Sequence, residues 1–162
     1  MQFLNYFFAS IISYLGLLIG IILVNTAPEE QKPMEKYFIA CRKIFLLMIF
    51  AFLIFYYFRN LFYFFTLTTY LVFILFVEFT AKSLLRKSML AYAILGILFF
   101  LSAQNTNLFV IESSLIMLYG MPAASLMYNR REKNYYNIIL YNLGFIISAN
   151  LLYLITTFHF LF

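Results

Sequence analysis

Glu112 is the residue of this chain best placed to do chemistry. It lies five residues after Asn107 in an apolar run, so roughly 7–8 Å inside the helix that such a run must form. A charge at the middle of a bilayer costs about 2.5–3.5 kcal/mol, and acids kept there face a bundle interior or do work. Near the interface that cost falls, and the positive end of a helix dipole favours an acid in the first turns. Two readings stand: an acid in the bundle interior that carries a proton or binds a cation, or a solvated or hydrogen-bonded acid near the outer boundary. Tyr119 and Ala123 share the Glu112 face by helical spacing. Further along come Gly120-Met121-Pro122. Pro122 removes one backbone hydrogen bond and can kink the helix, and Gly120 adds local freedom. Broken helices line binding sites in transporters, and kinks also serve plain packing. Glu78, four residues before Lys82, reads as an interfacial ion pair in the favourable order, with a second proton or cation carrier as the alternative.

The rest of the chemical inventory is thin. There is no Asp, one His and one Cys, which excludes aspartate-rich metal–diphosphate sites and intramembrane aspartyl dyads. His159 and Cys41 cannot build a zinc site on their own, and no Gly-rich phosphate loop is present. Cys41 has no partner for an internal disulfide and reads as a passive helix residue. His159 reads as a neutral interfacial residue. Ser113, Ser114 and Ser125 would need a lysine base, and the lysines fall at the surface opposite Ser113 and Ser114. No catalytic residue, metal or cofactor is therefore expected, and an intramembrane enzyme acting on lipid ranks last among the function classes.

The elements that must position these residues are membrane helices. The chain has 162 residues, of which 65% are hydrophobic and 10% charged, far from the composition of soluble domains. Apolar runs near bilayer length cover 3–24, 37–58, 61–81, 89–103, 108–128 and 136–160. The expectation is an all-α, polytopic membrane helical bundle: one domain over 1–162 with six transmembrane helices. The first run carries no cleavage site and reads as a retained helix rather than a signal peptide. Between Ile44 and Val77 the apolar stretch is too long for one crossing, so Arg59-Asn60 reads as a tight turn flanked by Tyr56, Tyr57 and Tyr63. Arg42 and Lys43, a turn inside the second span, are expected to snorkel to the interface.

Three loops on one side then hold all basic residues but one. They include Arg86 and Lys87 and the cluster Arg130, Arg131 and Lys133, with Arg59 alone opposite. By the positive-inside rule these loops are cytoplasmic, with N- and C-termini outside a cell membrane. The net charge of +5 belongs to headgroup contact rather than to nucleic acid.

Ala9, Ser13, Gly16 and Gly20 follow at i+4, i+3 and i+4 on one face of the first helix, and Gly16 to Gly20 is a literal GxxxG. Small residues let helix backbones approach closely in lipid. The face suits packing inside the chain, or docking of a second copy or a partner membrane protein. After it, Thr26-Ala27-Pro28-Glu29 fits a capping box with proline in the first turn, suggesting a short helical turn at the membrane surface that stops near Pro33. This Ala-Pro-Glu-Glu segment, followed by a proline and Lys36-Tyr37, resembles a pattern in uncharacterised small archaeal multi-pass membrane proteins. The resemblance covers about a dozen residues and implies no activity. The leading functional expectation is a non-enzymatic structural or accessory subunit that self-assembles or finds a partner through helix 1. The alternative is a small proton- or cation-coupled transporter using Glu112, with Tyr119 and Pro122 beside it.

Overall fold

A computed structural model describes residues 2–81, 83–128 and 134–159 of the chain, the side chains of Phe158 and His159 excepted. Among the described residues there is no strand. Six helical stretches are long and apolar enough to cross a membrane. They are α1 (Phe3–Thr26), α2 (Gln31–Tyr56), α3 (Leu61–Thr80), α4 (Leu84–Ser102), α5 (Thr106–Met127) and the pair α6 (Tyr135–Asn142) and α7 (Gly144–His159). Lipid offers the backbone no partners, so each span must bond to itself as helix. Hydroxyls inside the spans follow the same rule: Ser13, Thr66, Thr68 and Thr69 each donate to the carbonyl four residues earlier.

Two sequence expectations about boundaries are corrected. The short helical turn expected after α1 is present, but the helical path does not stop at Pro33. One 3-10 turn, Pro28–Glu30, runs straight into α2, and Pro33 is the third residue of that helix. First-turn amides have no acceptor within the helix, so the missing N–H of Pro33 forfeits nothing there. Thr26 caps nothing; it ends α1, and its hydroxyl donates to the Ile22 and Leu23 carbonyls at 3.1 and 2.9 Å. The sixth span is also not one helix. It breaks at Leu143, and Asn142 sits buried at the joint, accepting from Ser88 Oγ at 2.7 Å and donating to the Ile138 carbonyl at 2.6 Å.

At Arg59-Asn60 the chain turns as its length requires. The Asn60 amide donates to the Tyr57 carbonyl at 2.9 Å, and α3 starts at the next residue. The Tyr57 hydroxyl donates to the Leu101 carbonyl at 2.8 Å and lies 3.1 Å from Gln104 Oε1, tying this turn to the α4–α5 connection. There Asn105 caps α5, its side chain accepting from the Leu108 amide. Tyr57→Phe deletes only the hydroxyl. It is expected to cost about 1 kcal/mol, read as a lowered unfolding midpoint in detergent.

Two parallel helix pairs form the centre. α1 and α5 run side by side, with Gly16 level with Met117, Gly20 with Met121, and Tyr6 stacked on Phe109. A Cβ added at Gly16 or Gly20 would overlap the Met117 or Met121 carbonyl oxygen, and one at Gly120 would lie 2.7 Å from backbone atoms of Gly16 and Leu17. The small-residue face of α1 is therefore occupied by α5. Of the two readings of that face, packing inside the chain is the one Gly16 and Gly20 follow, with no Cβ-sized gap at either glycine. Ser13 is buried with them, whereas Ala9 is only half-buried. Gly120 owes its place to this backbone contact rather than to local freedom.

The second pair is α4 with α6–α7. Ser148 Oγ donates to the Ala93 carbonyl at 3.0 Å, and a Cβ at Gly96 would overlap Ser148. α2 packs antiparallel along α5, with the Gln31 amide donating to the Ser125 and Tyr128 carbonyls at 2.9 Å. α3 stands at the edge and buries only Leu67 and Ile74.

Candidate functional site

α5 is the most buried of the six spans, and the sequence sets its register. Leu108, Glu112, Leu115, Tyr119 and Ala123 recur at helical spacing and are all buried. Glu112 lies six residues after Thr106, so about 9 Å into the helix. It is 0% exposed, and neither carboxylate oxygen has a hydrogen-bond partner. Glu112 is thus neither solvated nor hydrogen-bonded: α5 turns it inward, on the face that also buries Leu108 and Leu115. A carboxylate in such surroundings is costly without a partner, and a proton on it removes the charge.

Pro122 is buried within α5, which stays helical from Thr106 to Met127. A proline there leaves the Leu118 carbonyl without its usual amide donor. Tyr119 is fully buried, its ring 5.6 Å from that of Tyr92 on α4, and both hydroxyls lack a partner. Further out, α1 and α5 leave a lipid-facing groove of about 230 Å³ lined by Ala9, Ile12, Ser13, Phe109, Ser113 and Met117. Its hydroxyls are used up on their own helices: Ser13 donates to Ala9 and Ser113 to Phe109.

Glu78 reaches across the bundle, and Lys82, its expected partner, lies outside the described residues. Nη2 of Arg42 on α2 contacts both Glu78 oxygens, at 2.5 and 2.7 Å. Lys87 Nζ donates to the Glu78 carbonyl and lies 3.6 Å from its carboxylate. The side chains of Arg42 and Glu78 are 5% and 12% exposed. Arg42 therefore does not snorkel outward as expected; Lys43, beside it, does face outward. Lys87, expected as a cytoplasmic anchor, is likewise turned in, whereas Arg86 is exposed. The other anchors, Arg130, Arg131 and Lys133, lie outside the described residues, as does the His159 side chain. Cys41 is free and exposed.

Arg42 was legible in the pattern. Arg42, Leu46, Ile49, Phe50 and Leu53 fall at i, i+4, i+7, i+8 and i+11, the buried stripe of α2. A cation on that stripe requires an acid from a neighbouring helix. Tyr92 carries the same signal in the buried run Ser88, Ala91, Tyr92, Leu95 and Phe99. No group of three or more His, Cys, Asp or Glu that could hold a metal occurs among the described residues. No family model, curated protein or solved structure matches this chain.

Proposed function

We propose that this protein is a non-enzymatic, proton-coupled membrane carrier in which Glu112 is the coupling acid. One observation carries the reading: a fully buried carboxyl group on a membrane helix with neither oxygen bonded. Intramembrane acids of this kind are expensive and mark proton or ion routes. Loss of the proton is tolerable only when the bundle rearranges to offer the carboxylate water or a counter-charge, so the protonation state and the conformation are linked. The gap that Pro122 leaves in the hydrogen-bond ladder of the same helix supplies a place for that rearrangement. The charge pattern supports an orientation with basic loops in the cytoplasm and both termini outside a cell membrane.

The test is infrared difference spectroscopy of the protein in vesicles as pH is swept. A protonated-carboxyl band should appear and disappear with pH, and Glu112→Gln should delete it. In proteoliposomes the same variant should abolish pH-dependent flux. A carboxyl band indifferent to pH would make Glu112 a fixed structural group and end this reading.

A second reading, the accessory subunit, keeps one supporting observation. α3 buries two residues and shows Phe62, Phe65, Phe73, Phe76 and Phe79 outward. Assembly would then run through α3 and not through the glycines of α1. Native mass spectrometry from the protein's own membrane separates the two: a stable complex with another chain supports the subunit, a lone monomer or homodimer the carrier.

A further inference from the structure

Ser83, Leu85, Arg86, Met89 and Leu90 at the start of α4 and Tyr141 of α6 line a groove of about 460 Å³. That volume lies within the range of ordinary ligand sites, about 300–1,000 Å³. Arg86, Met89 and Leu90 fall at i, i+3 and i+4 on one face of α4, opposite the buried run of Ser88, Ala91, Tyr92 and Leu95. The groove opens sideways, since Met89 and Tyr141 are 41% and 49% exposed. Its two walls are held in register by the bond from Ser88 Oγ to Asn142 Oδ1 at 2.7 Å, one residue from Met89 and one from Tyr141. Arg86 is exposed and has no ion pair among the described residues; Glu78, the acid near the end of α3, is held by Arg42 and Lys87.

We propose that this groove holds one anionic phospholipid, its phosphate on Arg86 and the top of an acyl chain against Met89, Leu90 and the Tyr141 ring. The order of the chemistry along α4 is that of a lipid. The cation stands in the first turn of the span, and the apolar residues follow about 6 Å deeper. A guanidinium fork matches a phosphate group, and a cation at a membrane surface draws anionic headgroups. A free phosphate ion would leave the apolar wall uncovered, and a wholly apolar molecule would leave Arg86 unpaired. A zwitterionic lipid brings its own cation beside Arg86 and gains less from it. The site goes beyond the proton-coupling reading and does not depend on it, because lipid binding is measured at equilibrium without flux and without Glu112.

The experiment titrates the purified protein in non-ionic detergent with phosphatidylglycerol, or with phosphatidylcholine of the same acyl chains, and counts adducts by native mass spectrometry. The first phosphatidylglycerol is expected to bind about fivefold or more tighter than the choline lipid. Arg86→Gln should remove that preference. Met89→Trp fills the groove away from the headgroup and should weaken both lipids with Arg86 still in place. Lys43→Gln, on an outward-facing cation of another helix, should bind like the wild type; an equal loss there would spread the preference over the basic surface and overturn the proposal. Equal affinity of the wild type for the two lipids would also overturn it, as would displacement of phosphatidylglycerol by inorganic phosphate, which would mark a site for a bare anion. A phosphatidylglycerol with a photoreactive diazirine high in one acyl chain checks the place in wild-type protein in nanodiscs, without any variant. Labels on Met89, Leu90 or Tyr141 are expected. Labels confined to other helices, or a homodimer whose second copy shields these residues from the label, would refute the site.

Discussion

Leucine at Gly120 is expected to abolish the folded bundle. Even the first atom of the new side chain would stand 2.7 Å from the Gly16 carbonyl carbon and the Leu17 nitrogen. These are backbone atoms of another helix, so no rotamer change relieves the overlap, and α1 must leave α5. Overpacking in a core typically costs about 1–3 kcal/mol. Here the displaced helix also gives up the stack of Tyr6 on Phe109 and the bond from Ser125 Oγ to the Gly20 carbonyl, so the loss lies at or above the top of that range. Gly120→Ala should fail in the same direction by a smaller margin. Gly144 is the control: a Cβ there meets the Ala93 side chain at 3.7 Å, an ordinary contact. Gly144→Ala should change stability by less than about 1 kcal/mol. Size-exclusion profiles and thermal midpoints in mild detergent read all three. A Gly120→Leu protein that stays monodisperse and melts within a few degrees of wild type would dismiss the α1–α5 crossing. Gly16→Leu then decides what the GxxxG is for. Unfolding fits a contact inside the chain; an intact fold with altered particle mass would return the face to a partner.

The contrast between these glycines and Glu78 separates what a sequence carries from what only the fold supplies. Six spans follow from apolar run length alone, because lipid forces every backbone group into helix. The small-residue face was also plain, since GxxxG is a local pattern. Which helix fills it was not: the matching glycine, Gly120, lies about a hundred residues away, and only the third dimension joins them. Glu112 was found by its oddity as an acid in an apolar run, but its burial depends on how α5 is rotated, and one isolated polar residue does not fix that. From sequence Glu78 pairs with Lys82, because helical i to i+4 spacing is the only geometry that a sequence offers directly, and Arg42 reads as a cation reaching for the interface. Their actual bond spans 36 residues. The sequence signal for that bond is the rotation of α2, where Arg42 falls on the apolar stripe and Lys43 off it.

That ion pair gives the second large effect. Removing one partner should cost about 3–5 kcal/mol, because the survivor is left charged and buried. Glu78→Gln strands Arg42, and Arg42→Met leaves Glu78 with Lys87, 3.6 Å away, as its cation among the described residues. An exposed pair would be worth only about 0–1 kcal/mol. The double variant Arg42→Met with Glu78→Gln removes both charges while keeping similar volume, and should recover much of what either single change loses. A coupling energy of about 2 kcal/mol or more in this double-mutant cycle, measured by denaturant unfolding in micelles, fits a buried cross-helix bond. Additive losses of under about 1 kcal/mol each would place Arg42 and Glu78 in water at the interface.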